Sequence, residues 1–279
     1  MKNAMQLKSL IKKISKEKNI SAQILLQNYM LERFLERISY SKYKNKYILK
    51  GGFLIASMIG VDIRSTMDMD ATIKGYPLNE KRIIEMIDDI IAIPLKDRIT
   101  FERCGIEEIR EKDEYVGYRI SLIGNYDKMA VPLKLDITTG DKITPKEIEY
   151  RYNLMLEERS INILAYNLST ILAEKLESVI VRGDQNTRLR DYYDIFILTK
   201  LESKNIEIST LQIALRETAE KRGTYNRIKE FNQVIEMIEL SDIMRQRWDN
   251  YSKKFSYVED IKFEETCEAI KKIFGQLKL

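Results

Sequence analysis

Residues 47–73 constrain the fold more than any other part of the chain, because their hydrophobic period changes twice within a short distance. The apolar run in "KYILKGG" is typical of a strand that stops at a glycine pair, and "FLIASMIG" has the spacing of a helix ending at Gly60. "TMDMDATIKG" then alternates, as a strand with one buried face does. The segment predicts a strand, helix, strand unit with Gly51 and Gly52 at its first junction.

The rest of the first half continues this mixture of helices and strands. Residues 5–40 have the spacing of two helices with polar outer faces, and a further helix opens at Asn79. Three strands follow in "ITFERCGIEEI", "YVGYRISLIGNY" and "VPLKLDITTG". We expect the sheet to end near Gly140.

From Pro145 onward the hydrophobic period is almost wholly helical. The candidate helices lie near residues 168–181, 191–201, 209–221, 227–239 and 261–276. The pattern therefore predicts an α+β chain, with one domain over residues 1–150 and a helical domain over residues 151–279.

The 279 residues include no histidine, which excludes Ser-His-Asp and Cys-His nucleophiles and histidine-containing zinc sites. Catalysis must rest on Asp, Glu, Lys, Arg or Tyr. The formal charge of +4 permits a nucleic-acid partner without arguing strongly for one.

No apolar run approaches the ~18 residues of a membrane span, and the N-terminus lacks a signal-peptide pattern, so a cytoplasmic protein without membrane association is expected. Cys104 and Cys267 match no metal-ligand spacing and are predicted to be small buried residues.

The pair Asp68 and Asp70 is the first candidate for chemistry. Side chains two apart on a strand share a face, so both carboxylates should project together while Met67 and Met69 point the other way. Mg²⁺ is usually held by one or two carboxylates, with water and substrate phosphates completing its shell. The pair predicts a magnesium site; the alternative, a solvated acidic edge strand, is the more common origin of an isolated D-x-D.

Two further features give this pair its context. Asp136 is a third acid within an apolar strand, and three acids could hold the two metal ions, ~3.5–4 Å apart, of an in-line phosphoryl displacement. The alternative interpretation of Asp136 is a residue at the end of a strand that hydrogen-bonds to the turn at Thr138–Gly140. A glycine pair between strand and helix, Gly51 and Gly52, lets backbone N–H groups approach a phosphate, although most such pairs simply turn the chain.

A second cluster lies in "ILAEKLESVIVRGDQNTRLRDYYDIFIL". On spacing alone the structural interpretations are favoured here: Lys175 as a surface lysine, Asp191 as a helix N-cap, and Asp194 as the third residue of that helix. The arginines of the segment are then solvated; they are Arg182, Arg188 and Arg190.

Four segments together resemble the AbiEii/AbiGii family of toxin nucleotidyltransferases, from type IV toxin–antitoxin and abortive-infection systems. They are "ERFLERISYSKYKNKYILKGG", "RSTMDMD", "KLDITTGD" and "LAEKLESVIVRGDQNTRLRDYYD", in family order from about residue 30 to 198. The resemblance implies a polymerase-β-like nucleotidyltransferase mixed sheet with flanking N-terminal helices and a helical C-terminal domain. It also implies transfer of a nucleotide from an NTP to an acceptor.

By this resemblance, Gly51 and Gly52 match the phosphate-approaching loop, and Thr66 matches the small hydroxyl residue two before the first metal acid. Asp68 and Asp70 match the metal pair. The chain has Gly51-Gly52 where the wider superfamily has Gly-Ser, so Gly52 and Thr66 must together replace the serine contact.

The later motifs supply the remaining site residues. Lys175 matches the lysine expected to face the triphosphate, and Asp191 matches the aspartate expected to orient or deprotonate near the site, with Asp194 a weaker candidate. Asp136 matches the strand acid that follows the metal pair, as metal ligand or base.

The leading hypothesis is an Mg²⁺-dependent toxin that transfers a nucleotide from an NTP to RNA, with tRNA the first candidate. The toxin would block growth or phage propagation and would be restrained by an antitoxin encoded beside it. The alternatives are a small-molecule (antibiotic-type) or protein nucleotidyltransferase, and a catalytically silent binding module of the same fold. A helical C-terminal half with scattered Lys and Arg weakly favours a polymer acceptor. An RNA acceptor is expected to be gripped there by Arg182, Arg188 and Arg190, which flank the "RDYYD" motif.

Overall fold

The structure, a computed structural model, describes residues 3–76, 79–109 and 117–278. In this part of the chain the strands are β1 (Tyr47–Lys50), β2 (Asp68–Ile73), β3 (Ile99–Ile109), β4 (Gly117–Tyr126), β5 (Met129–Thr139), β6 (Ile148–Asn153) and β7 (Ser160–Ala165). The α-helices are α1 (Ala4–Lys18), α2 (Ala22–Tyr40), α3 (Gly51–Ile59), α4 (Glu80–Ile91), α5 (Leu168–Arg182), α6 (Leu189–Leu201), α7 (Ile208–Lys221), α8 (Tyr225–Lys229), α9 (Phe231–Leu240), α10 (Asp242–Lys254) and α11 (Phe263–Phe274). The predicted mixture of a sheet and flanking helices is confirmed.

All seven strands belong to one sheet with the order β3-β4-β5-β2-β1-β7-β6. The sheet is mixed: β1 runs parallel to β7 and β2 parallel to β5, whereas the other neighbours are antiparallel. The strands that carry Asp70 and Asp136 are therefore adjacent and internal, with neighbours on both sides. Side chains on such strands are held in register by two ladders rather than one.

The expectation that the sheet ends near Gly140 is wrong. β6 and β7 form an antiparallel hairpin that extends the sheet beyond β1. β6 was missed because it is an edge strand with mostly exposed polar side chains, so it lacks the apolar alternation that marks a half-buried strand. The boundary expected near residue 150 falls within β6.

The chain divides into two compact units. The first consists of Met1–Asp141 and Ile148–Ala165 and contains the sheet with α1–α4. The second consists of Lys142–Glu147 and Tyr166–Leu279 and contains α5–α11.

The second unit has its own helical core, in which α5 packs against α6 and α7. Its helices follow the predicted positions, except that the helix expected at 227–239 is split into α8 and α9 and that α10 was not foreseen. α10 is strongly polar, and its buried residues are Met244 and Trp248, which leaves little helical periodicity in the sequence. Among the described residues, no helix combines the length and the apolar character needed to cross a bilayer.

The expected polar outer face is wrong for α2, because its charged residues lie inside. Arg33 is fully buried, and its guanidinium lies 2.6 Å from Glu32, 2.8 Å from Glu36 and 2.9 Å from Glu157. Arg159 pairs with Glu36 and Glu157. Burial raises the pKa of Glu32 to about 7, and the charge of Arg33 opposes that shift. This buried network ties α2 to the connection between β6 and β7.

The two cysteines are free and differ in environment. Cys267 is buried, and this burial raises the pKa of its thiol to about 12. Cys104 is exposed on β3, so the prediction of a buried residue is confirmed for one position and wrong for the other. The outward-facing register of β3 at this point explains the difference, since neighbouring Glu102 is exposed as well.

We expect Arg33→Ala to lower the free energy of unfolding by about 3–5 kcal/mol, because it leaves buried carboxylates without their cation. Lys13→Ala is the matched control in the same unit, since Lys13 forms an exposed helical ion pair with Glu17 that contributes about 0.5 kcal/mol or less. Urea unfolding followed by far-UV circular dichroism measures both. Equal effects of the two substitutions would contradict a structural role for the network.

Candidate active site

A row of charged residues crosses five strands of the sheet in register. Lys50 on β1 lies opposite Asp70 on β2, and Asp70 lies beside Asp136 on β5. Asp136 in turn lies opposite Arg119 on β4, which is opposite Glu107 on β3. Residues paired in register project to the same face of a sheet. The fold therefore gathers two predicted acids, Asp70 and Asp136, on one face. Two cations that were not predicted, Lys50 and Arg119, lie on the same face.

Gly51 is the residue that lets the chain leave β1 directly over Asp70. Its φ is +69°, and a Cβ placed there would lie 2.1 Å from Asp70 Oδ2 and 2.8 Å from Asp70 Cβ. The second distance matters more, because Cβ of Asp70 cannot rotate away as its carboxylate can. Both the backbone conformation and the available space at this position require glycine.

Gly52 faces the other part of the predicted loop. A Cβ at Gly52 would lie 3.1 Å from Arg64 Nη2 and 3.2 Å from Thr66 Oγ1. The carbonyl of Thr66 accepts a 2.6 Å hydrogen bond from Asn28 of α2, and its hydroxyl donates to the Asp68 carbonyl at 3.4 Å. The first turn of α3 and the residues before β2 thus lie close together, as the sequence motifs predicted.

Asp68 and Asp70 occupy the first and third positions of β2. Asp68 is exposed and Asp70 half-buried, whereas Met69 between them is fully buried, which confirms that the two acids project away from the core. Met67 was expected to point inward with Met69; it precedes the strand and is 47% exposed. Two hard oxygen donors on one open face suit a magnesium ion.

Asp136 lies within β5, so the alternative of a strand-end residue is wrong. Its carboxylate accepts two hydrogen bonds from Arg119, at 2.9 Å from Nε and 2.7 Å from Nη2. The hydrogen bonds and charge of Asp136, followed by the charge of Asp68, raise the pKa of Arg119 further above its ordinary range. In the described part of the chain, no group of three or more His, Cys, Asp or Glu residues is arranged to hold a metal ion.

Lys50 and Asp141 also belong to this face, and motif spacing did not reveal them. Lys50 is 5% exposed, donates a 2.9 Å hydrogen bond to Thr138 and forms an ion pair with Asp141. The hydroxyl of Thr138 donates to Asp141 at 2.7 Å. A lysine immediately before Gly51-Gly52, and an acid immediately after the "DITTG" turn, were the available indications in the sequence.

In the second unit, Lys175 lies between two carboxylates. Its ammonium is 2.9 Å from Asp191 and 2.7 Å from Asp194, and Ser178 donates to Asp191 at 3.1 Å. The Lys175 side chain is 12% exposed and that of Asp194 fully buried, so the surface-lysine interpretation is wrong. The N-cap interpretation is also wrong, because α6 begins at Leu189 and Asp191 lies within its first turn.

The predicted residues thus fall into two sets. Gly51, Gly52, Thr66, Asp68, Asp70 and Asp136 belong to the first unit, and Lys175, Asp191 and Asp194 to the second. The arginines expected to grip an acceptor are all exposed: Arg182 at the end of α5, and Arg188 and Arg190 around the start of α6.

Two crystal structures from H. pylori resemble this chain and define the class of its fold. One is of a candidate nucleotidyltransferase, with a TM-score of 0.50 and 16% identity over 92% of this chain and 95% of that chain. The other is of JHP933, with a TM-score of 0.50 and 15% identity over 92% of this chain and 94% of that chain. No curated protein has significant similarity to the chain. The fold is that of a nucleotidyltransferase.

The chain belongs to the AbiEii family of nucleotidyl transferase toxins of type IV toxin–antitoxin systems, whose model it matches over residues 33–270. The match includes the glycine pair, the acids of β2 and β5, and the lysine–aspartate cluster of α5 and α6. Membership confirms the predicted family, and it implies an NTP as substrate and an antitoxin as counterpart.

We expect Gly51→Ala to destabilise the protein more than Gly75→Ala. Both glycines have positive φ, +69° and +63°, so both substitutions introduce backbone strain of about 1–2 kcal/mol. A Cβ at Gly75 meets nothing within 4 Å, whereas one at Gly51 collides with Asp70, which adds about 1–3 kcal/mol of overpacking. Urea unfolding measures the difference, and equal losses would show that Asp70 does not constrain this position.

Proposed function

We propose that this chain transfers a nucleotidyl group from an NTP to an RNA, with tRNA the first candidate, in a reaction that depends on Mg²⁺. The observation that carries the proposal is the face on which Asp68 and Asp70 project beside Gly51, at the start of α3. Family membership supports nucleotidyl transfer as the chemistry. With RNA as acceptor, the reaction would take place in the cytoplasm.

Asp68 and Asp70 are the proposed metal ligands, with Asp136 as the third acid. Their donor set fits the ion: hard carboxylate oxygens, one exposed and one half-buried, on the outward side of an internal strand. When bound, Mg²⁺ would neutralise charge on the triphosphate and on the leaving pyrophosphate. Arg119 bonds both oxygens of Asp136 and would compete with a metal ion or a proton for this carboxylate.

The triphosphate is proposed to approach Gly51 and Gly52. They form the first turn of α3, whose N–H groups and dipole favour an anion. Lys50 precedes this turn, but its ammonium is directed to Thr138 and Asp141. Thr66, next to Gly52, supplies the hydroxyl that the wider superfamily takes from a serine.

Lys175 and Asp191 are proposed to serve the same reaction, and family resemblance supports these roles. In the transfer, an acceptor hydroxyl oxygen forms a bond to the α-phosphorus while the bond from that phosphorus to pyrophosphate breaks. The ammonium of Lys175 offsets charge on the leaving pyrophosphate. Asp191 orients the acceptor or takes its proton, and Asp194, fully buried beside Lys175, holds the lysine in place.

The alternatives are a small molecule or a protein as acceptor, and a silent module of the same fold. Retention of Asp68, Asp70 and Lys175 argues against silence, because adjacent carboxylates repel each other unless a cation lies between them. The biological role proposed is that of a toxin that blocks growth or phage propagation and is restrained by an antitoxin encoded beside it.

Asp68→Asn and Asp70→Asn are expected to abolish transfer and toxicity while the protein remains folded. Each keeps the shape of the side chain but removes a metal-binding charge. Asp62→Asn is the matched control, since Asp62 is a partly exposed acid of the same unit that pairs with Lys18. Label transfer from an α-labelled NTP, growth after induction and circular dichroism measure the outcome. A toxic Asp68→Asn or Asp70→Asn variant at equal expression would contradict the metal-pair proposal.

The acceptor is identified by incubating the protein with Mg²⁺ and each α-labelled NTP, together with purified tRNA, total RNA, total protein or an aminoglycoside. We expect label on tRNA, and an affinity for tRNA that falls with salt, because contacts with phosphates release counterions. Replacing Arg182, Arg188 or Arg190 by Gln should flatten that salt dependence and leave NTP binding nearly unchanged. Label on protein or on the aminoglycoside, with all RNA unlabelled, would overturn the RNA proposal.

A further inference from the structure

Arg119 makes a two-point contact with Asp136 on the sheet face that carries Asp70. Its Nε and Nη2 donate to the two oxygens of Asp136 at 2.9 Å and 2.7 Å. The two residues face each other across the antiparallel pair β4–β5, so the strand register itself brings them together. A guanidinium that engages both oxygens of a carboxylate takes one lone pair on each and adds a positive charge there, so it competes with a metal ion for that carboxylate.

Asp136 is the acid that could extend the pair on β2 to a set of three. It lies in register beside Asp70, across a strand spacing of about 4.8 Å. In the ranges that the structure describes, the acids are nevertheless not arranged as a three-residue metal site. The cation beside Asp136 in this structure is Arg119.

We propose that Arg119 is a positioning residue that competes with a second divalent ion for Asp136. The inference rests on the proposed function, in which Asp68 and Asp70 hold the first ion. With Arg119 in place, the nucleotide-free protein binds one ion strongly, and Asp136 is withheld until Arg119 moves. Arg119 thereby keeps Asp136 oriented beside Asp70 without a metal ion of its own.

The surroundings of Arg119 allow it to leave. Its side chain is 40% exposed, so the guanidinium can turn toward solvent without burying an unpaired charge. On the neighbouring strand β3, Glu107 lies in register opposite Arg119, and its exposed carboxylate is a second anion on the same face of the sheet. Arg119 therefore has an anion on either side, only one of which belongs to the candidate site.

The test is Mn²⁺ binding to the nucleotide-free protein, followed by electron paramagnetic resonance. We expect one strong Mn²⁺ site in the wild type and a second in Arg119→Ala, because the carboxylate of Asp136 is then available. The double variant Arg119→Ala/Asp136→Asn should lose this gain. Arg103→Ala is the matched control: Arg103 engages Asp88 through the same two atoms, at 2.9 Å and 3.0 Å, and its loss should leave Mn²⁺ binding unchanged.

A second measurement follows turnover. Arg119→Ala should lower the Mg²⁺ concentration for half-maximal activity several-fold, and Arg119→Lys, which keeps the charge but not the two-point contact, should fall between it and the wild type. The proposal is overturned if Arg119→Ala binds no more Mn²⁺ than the wild type, or if the gain persists without Asp136. Failure of the proposed function is a separate result: Mn²⁺ binding that survives Asp68→Asn and Asp70→Asn, or the absence of transfer from any NTP.

Discussion

The approach of the Gly51 backbone to Asp70 is the constraint on which the candidate site depends. β1 and β2 are antiparallel neighbours with Lys50 opposite Asp70, so the residue after Lys50 must leave the sheet over that carboxylate. A residue without a side chain, in a left-handed conformation, fits this space. The same turn begins α3, and it therefore sets both the direction of the helix N-terminus and its closeness to the acid.

The mixed pairing of the sheet then decides how charge is distributed around Asp70. Because β2 is parallel to β5 and antiparallel to β1, Asp70 has an acid on one side and a lysine on the other. Lys50 is bonded to Thr138 and Asp141, and Asp136 to Arg119. Cations of the protein thus compensate the flanking acids, whereas Asp68, at the start of β2, is exposed and lies in register beside Lys134.

The buried network around Arg33 has a different role from the acids on the sheet face. Its carboxylates bond to buried Arg33 and to partly exposed Arg159, and they fix α2 against the connection between β6 and β7. α2 in turn holds the Thr66 carbonyl through Asn28, two residues before Asp68. Such a network selects one arrangement of the packed elements and adds little net stability, because the cost of desolvating the charges offsets their attraction.

The sequence alone determined the strand, helix and strand around Gly51, the shared face of Asp68 and Asp70, and the family. These features follow from local periodicity, from glycine's conformational freedom and from motif order, which do not require knowledge of distant contacts. The tertiary structure decided that β6 and β7 join the sheet, that the charges of α2 are buried, and that Arg119 holds Asp136 while Asp191 and Asp194 hold Lys175. Each of these depends on which strands or helices become neighbours. Residues such as Arg119 and Asp136, 17 positions apart, become partners only once the turn at Asp127 and Lys128 has fixed the register of β4 against β5.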